Sequence, residues 1–147
     1  MEDLVSNRKA YHNYEILQTF EAGIVLLGTE IKSLRAHGGS LNDAYAAVKD
    51  NGELFLINAS IAPYRFGNVH NHEDRRERKL LMHKKEILKL KKAVSEKGLA
   101  IIPVSFFLKN GFVKVKIALA KGKRLYDKRR ALKDKEEKRS IQKNLNS

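Results

Sequence analysis

Apolar positions along this chain come mostly in short runs broken by turn residues, the signature of strands rather than of long amphipathic helices. Tyr14 to Phe20 and Gly23 to Leu27 are two such runs, and Glu21-Ala22-Gly23 between them predicts a hairpin. Residues 44–49 and 53–59 flank Asp50-Asn51-Gly52, and residues 99–108 and 112–119 flank Asn110-Gly111. Asn-Gly favours the positive backbone angles of a tight hairpin turn, so each pair predicts two antiparallel strands. In the last strand Val113, Val115, Ile117 and Leu119 alternate with Lys114, Lys116 and Ala118, which points the apolar set inward and both lysines outward.

Helical spacing is rarer. Thr29 to Arg35 predicts a short helix, with Thr29 as N-cap, Glu30 in the first turn, Ile31 and Leu34 three apart, and Gly38-Gly39 as a stop. One longer helix is predicted from Leu80, His83, Ile87, Leu90 and Val94 on one stripe, closed by Lys97-Gly98. Six strands with interspersed helices make a mainly β fold, expected as a small closed antiparallel barrel because closure removes exposed edges. A split sheet with its helices on one face is the competing architecture. From Arg130 to Asn144 only Ala131, Leu132 and Ile141 are sizeable apolar anchors, too few to bury a helix face. That segment is expected to be disordered alone and helical when docked. The division expected is therefore a folded body, residues 1–120, and a tail, residues 121–147.

Charge sharpens this division. The 147 residues carry 30 Lys and Arg against 17 Asp and Glu, a net +13. The tail holds 11 basic and 4 acidic residues, net +7, and the body 19 and 13, net +6. Within the body, residues 75–92 gather nine basic residues against two Glu. Two basic blocks of this kind point to a polyanionic partner. The absence of cysteine excludes thiolate catalysis, disulfides and Cys-ligated zinc. No apolar run approaches the roughly 18 residues that span a bilayer, and the acidic start Met1-Glu2-Asp3-Leu4 lacks the order of a secretory signal. A cytoplasmic protein without membrane partners is expected.

Candidate chemistry is sparse. His70-Asn71-His72-Glu73-Asp74 has donors suited to zinc or nickel, but its flanking asparagines read as a polar, solvated loop. Glu21, Glu30 and Asp43 would serve acid–base chemistry only if folding joined them, and structural ion pairs are the expected role. No G-x-S-x-G or Walker loop is present, so no enzyme and no cofactor are expected. Arg75-Arg76-Glu77-Arg78-Lys79 ahead of Leu80-Leu81-Met82 is read as a cationic helix entry able to straddle a nucleic-acid backbone, with Lys114 and Lys116 as a second phosphate-facing row. Few aromatic residues (six Phe, five Tyr, no Trp) argue for shape and phosphate recognition of a folded RNA rather than serial base stacking. The rivals are a structural ribosomal protein that binds rRNA and an enzyme acting on RNA.

Read in order, Asn7-Arg8-Lys9-Ala10, Tyr14, Glu21-Ala22-Gly23, Gly28 to Arg35, Leu41-Asn42-Asp43-Ala44-Tyr45, Asn68 to His72, Arg78-Lys79-Leu80-Leu81, and Ala120 to Lys123 followed by Asp127-Lys128-Arg129 resemble the SsrA-binding (small protein B) family over residues 7 to 130. The resemblance implies an oligonucleotide-binding type of barrel with packed helices. It further implies a factor that binds the tRNA-like domain of transfer-messenger RNA (tmRNA) and accompanies it to bacterial ribosomes stalled on mRNA without a stop codon. Elongation factor Tu with alanyl-tmRNA and the small-subunit rRNA would be its other partners. By the same resemblance Glu21, Leu81 and Lys114 would form the RNA-binding face, with Lys32, Arg35, Arg78, Lys79 and Lys116 adding charge. Leu81 taken by itself reads as core packing. Lys121, Lys123, Tyr126, Asp127, Lys128 and Arg129 would meet the decoding centre, with Tyr126 stacking on a base and Lys128 and Arg129 pairing with phosphate. As a helix the 27-residue tail would span about 40 Å, enough to thread the empty mRNA channel.

Overall fold

A computed structural model describes residues 2–66 and 71–123. Nine strands and three helices occupy them, in the order β1 (Glu2–Ser6), α1 (Arg8–Asn13), β2 (Tyr14–Ile24), α2 (Gly28–Arg35), β3 (Gly39–Ser40), β4 (Tyr45–Val48), β5 (Leu54–Ile57), β6 (Ser60–Ile61), β7 (Arg78–Leu81), α3 (Lys84–Lys97), β8 (Ala100–Lys109) and β9 (Phe112–Gly122). Seven strands form one antiparallel sheet in the order β1-β8-β4-β5-β7-β2-β9, and β9 also pairs with β8. The pairing is uneven: β2 and β9 run together from Tyr14↔Gly122 to Gly23↔Lys114, whereas β4 and β8 share only Ala46↔Ile101. The core lies against the inner face and includes Leu34, Leu54, Leu56, Ile61, Leu80, Leu90, Ile101, Phe106 and Ile117.

Both Asn-Gly hairpins form. Asn110 and Gly111 take φ values of 53° and 81°, the doubly positive turn that joins β8 to β9. Gly98 ends α3 in the left-handed conformation expected of it. The hairpin expected at Glu21-Ala22-Gly23 does not form. Those residues stay paired with Lys116, Val115 and Lys114, so β2 is one 11-residue strand, and its irregularity lies between Ile16 and Gln18. The long helix also starts later than expected. Residues 78–81 are a strand whose inward positions are Arg78 and Leu80 and whose outward positions are Lys79 and Leu81. His83 is the N-cap of α3, and Val94 is exposed; Leu90 and Ala93 make the buried stripe.

Helix α2 begins one residue ahead of Thr29. Its N-cap is Leu27, whose backbone N–H donates to Glu30 Oε1 at 2.7 Å. The left-handed residue after α2 is His37, not a glycine. Gly39 is required for close approach instead, since a Cβ there would meet Leu34 Cδ2 at 2.6 Å and Val5 Cγ2 at 2.9 Å. The pattern carried no signal for β1 or α1. Buried Asn7 fixes both: its N–H donates to Val104 O at 2.8 Å and its Nδ2 to Pro103 O at 2.8 Å and Leu41 O at 3.3 Å. Helix α1 then covers part of the outer face, so Ala118 and Ala120 are buried rather than solvent-facing, Ala120 against Ala10 and Ile102. At the end of β9, Lys123 N–H donates to Asn13 O at 3.0 Å.

Glu30 and Arg78 are both 0% exposed and form an ion pair through Arg78 Nε. Arg78 also donates to Ala59 O at 2.9 Å, Asp74 O at 2.9 Å and Glu73 O at 3.3 Å, while Arg76 Nη2 reaches Glu30 Oε1 at 2.6 Å. Burial pushes the Glu30 carboxyl up, but hydrogen bonds from Arg76, Leu27 and Arg78, with the charge of Arg78, outweigh it and hold it below its ordinary 4.5. Burial pulls the Arg78 guanidinium down, and the Glu30 bond and charge pull it back.

Glu30→Ala strands a buried guanidinium and is expected to cost about 3–5 kcal/mol in urea unfolding; replacing both partners by Leu and Met is expected to cost much less. Because the folded carboxyl titrates below its unfolded value, its contribution is complete above pH 4.5 and is lost as pH falls through the lower folded value. Stability measured against pH should therefore fall on acidification more steeply in the wild type than in Glu30→Gln.

Candidate nucleic-acid interface

The outer face of β7, β2 and β9 brings together residues far apart in sequence. Gly23 pairs with Leu81 on one side and with Lys114 on the other, so the three form one row across three strands. Two residues back along β2, Glu21 stands opposite Lys116 on the same face. Leu81 is 50% exposed, a large apolar side chain held out to solvent. A Cβ on Gly23 would lie 3.3 Å from Leu81 Cβ, so the glycine keeps a bare stretch of backbone between the leucine and the lysine. Val25, also exposed, donates its N–H to Lys79 O at 3.0 Å, which extends the apolar end of the ridge.

Glu21 organises the basic end. Its carboxylate accepts from Lys109 Nζ at 3.1 Å and lies 3.2 Å from Lys114 Nζ. Hydrogen bonds from Lys109 and then Lys114, with the charges of both, hold the Glu21 carboxyl below its ordinary value against an opposing effect of burial. Two exposed ammonium groups are thereby fixed around one carboxylate, a net positive cluster of defined shape. Lys109 was not singled out from the sequence; its place one residue before the Asn110-Gly111 turn was the available signal.

The basic run 75–79 behaves differently from its sequence reading. Arg78 is a correction: it faces the core, bonded to Glu30 and three carbonyls, and presents nothing to a phosphate. Arg75 Nη1 donates to Asn58 Oδ1 at 2.9 Å and Arg76 to Glu30, so this run ties the chain ahead of β7 to the β5–β6 turn and to α2 rather than entering a helix. Lys79 turns outward beside Leu81, paired with Glu53 at 3.3 Å. Lys32 and Arg35 stand on the exposed side of α2, with Lys32 Nζ 5.8 Å from the Tyr64 ring centroid. Lys121 and Lys123 are exposed at the end of β9; Tyr126, Asp127, Lys128 and Arg129 lie outside the described residues.

Nor is the His70–Asp74 stretch the solvated loop expected. His70 lies outside the described residues, but His72 is buried. Its Nε2 sits 2.7 Å from Ile61 O, which can only accept, and its Nδ1 lies 2.8 Å from Thr29 Oγ1. Nε2 therefore donates to Ile61 O and Nδ1 is engaged with the threonine hydroxyl, so neither ring nitrogen is free to ligate a metal. Glu21, Glu30 and Asp43 are not joined: Glu21 and Glu30 serve separate ion pairs, and Asp43 occupies a turn with φ 63°. No helix among the described residues is long and apolar enough to cross a membrane.

A family model described as SmpB protein matches residues 4–147. The chain belongs to the SmpB family. It is 60% identical over 141 residues to an SsrA-binding protein of Chlamydia muridarum, covering 96% of this chain and 93% of that one. It is 62% identical over 143 residues to the SsrA-binding protein of Protochlamydia amoebophila, covering 97% and 93%. A solved structure described as "tmRNA-SmpB: a journey to the center of the bacterial ribosome" matches with a TM-score of 0.69 and 48% identity, covering 85% of this chain and 87% of that one. The family resemblance drawn from the motifs is thus correct.

Because Leu81 is half exposed on the outer face of β7, Leu81→Ala is expected to change unfolding free energy by no more than about 0.5 kcal/mol in chemical denaturation. Leu80→Ala, one position inward, should cost about 2–5 kcal/mol in the same measurement.

Proposed function

We propose that this chain binds the tRNA-like domain of tmRNA through the β7–β2–β9 face and carries it to stalled bacterial ribosomes as a non-enzymatic adaptor for trans-translation. The observation that carries this reading is the row Leu81–Gly23–Lys114 with Glu21 and Lys109 beside it, on a chain of the SmpB family. Chemically the row suits the outside of a folded RNA. Lysines meet phosphates, the glutamate accepts from an exposed base or ribose hydroxyl, and the leucine packs on an apolar sugar or base surface. The circuit of pairings β8-β4-β5-β7-β2-β9 that returns to β8 supports reading the sheet as a small closed barrel of oligonucleotide-binding type.

Residues 1–120 act as the RNA-binding body, and residues 121–147 as the segment that enters the empty mRNA channel near the decoding centre. There Lys121, Lys123, Tyr126, Asp127, Lys128 and Arg129 meet the small-subunit rRNA. Delivery occurs in the cytoplasm together with elongation factor Tu and alanyl-tmRNA. A structural ribosomal protein would be present on every ribosome, whereas this factor should enrich on stalled ones.

Titration of a tRNA-like-domain transcript at several salt concentrations tests the body. Lys114→Ala is expected to weaken binding and to reduce the slope of log K against log salt by about 0.7–0.9, one phosphate contact. An unchanged slope would remove Lys114 from the interface. Truncation after Lys121 is expected to leave transcript binding largely intact and to abolish peptide tagging on stalled ribosomes. Normal tagging by the truncated chain would sink the channel role of the tail.

A further inference from the structure

The least-paired seam of the large sheet lies between β4 and β8. Those strands share the single pair Ala46↔Ile101 and then part, and a cavity of about 760 Å³ opens beside them. Helix α1 borders it through Lys9 and Ala10, and the C-terminal half of α3 through Lys91 and Val94. Its volume lies in the upper part of the small-ligand range, about 300–1,000 Å³. Ala46 and Ile101 are buried in its lining, whereas Tyr45 and Val94 remain 45% and 40% exposed. Exposed apolar side chains gathered around a cleft mark a surface that another segment covers.

The charged groups at this cavity are Lys9, Asp43 and Lys91, all exposed. Neither lysine has an ion-pair partner among the described residues. Two cations against one carboxylate leave the rim positive, so the matching occupant is apolar and carries an acidic group.

The chain itself brings such a segment to the rim. A Cβ on Gly122, the last residue of β9, would lie 3.7 Å from the Tyr14 ring, and the next residue, Lys123, donates its N–H to Asn13 O at 3.0 Å. Asn13 and Tyr14 both line the cavity. From there the sequence continues Arg124-Leu125-Tyr126-Asp127, an apolar pair followed by a carboxylate. Three extended residues reach about 10 Å, so the pair is delivered to the mouth without a long linker. Such a short tether gives an effective concentration in the millimolar range, an advantage over any separate molecule.

We propose that Leu125-Tyr126 docks in the seam between β4 and β8, against Tyr45, Val94 and Leu99, with the Asp127 carboxylate at Lys9 and Lys91. This docking goes beyond the RNA-binding reading and does not depend on it. A docked Tyr126 is covered, so any partner that takes Tyr126 must draw it from the seam and compete with that contact.

Amide NMR of the isotope-labelled full-length protein, without RNA, tests this. The double variant Leu125→Ser, Tyr126→Ser is expected to move the resonances of Tyr45, Val94 and Leu99 at every protein concentration and to leave those of Leu81 and Lys114 in place. The double variant Leu132→Ser, Ile141→Ser is expected to move none of them. Val94→Gln, a change on the seam side, should speed tryptic cleavage after Arg124 about tenfold with the unfolding midpoint nearly unchanged. Seam resonances that stay fixed in the first variant, or that move with the second instead, overturn the docking. Equal cleavage rates in Val94→Gln and the wild type overturn it too. Shifts that fade on dilution, with a dimer mass in ultracentrifugation, assign the seam to a second copy and overturn it as well.

Discussion

A single buried ion pair, Glu30 with Arg78, fixes the arrangement on which the rest of this molecule depends. It locks α2 to β7 across 48 positions of sequence, and the remaining donors of the same guanidinium gather the carbonyls of Ala59, Glu73 and Asp74. Irregular chain between β6 and β7 is thereby tied to one planar group. Hydrophobic residues of similar volume often stabilise a core as well as such a pair does, so its value lies in direction more than in energy. A guanidinium in that fork accepts one orientation of its neighbours, and a leucine would accept several. With Arg78 pointing inward, the alternation along β7 sends Leu81 outward to meet Gly23 and Lys114.

This arrangement changes the meaning of the +13 charge. Arg75, Arg76 and Arg78 belong to the densest basic stretch of the body, yet all three are engaged with Asn58, Glu30 or backbone carbonyls. The charge offered by the ridge comes instead from lysines on two strands, β8 and β9, arranged around Glu21. Three arginines crowded in sequence hold the fold, the lysines that follow them on α3 are exposed, and lysines scattered in sequence surround Glu21.

Legibility from the sequence followed the same division. Both Asn-Gly hairpins, the Gly98 stop and the outward lysines of β9 could be read because local pattern and tertiary environment agree there. Strand β7 was unreadable because its inward position carries an arginine, which breaks the period-2 signal, while Leu80 happens to fall on the helical stripe of α3. The buried His72 was missed for a related reason: its partners, Thr29 and Ile61, are 43 and 11 positions away. Glu21, Leu81 and Lys114 could be grouped only through the family motifs. No periodicity links them, and the pairing register that makes them neighbours is a property of the folded sheet.

Strand β9 runs from the lysines of the ridge to Lys123, whose N–H is held by Asn13. Nine residues at about 3.3 Å per residue separate Lys114 from that point, a span of about 30 Å. An extended strand paired on both sides neither stretches nor bends easily, so it works as a ruler. Its length sets how far Lys123 lies from Lys114, and a two-residue insertion would displace one end from the other by about 7 Å.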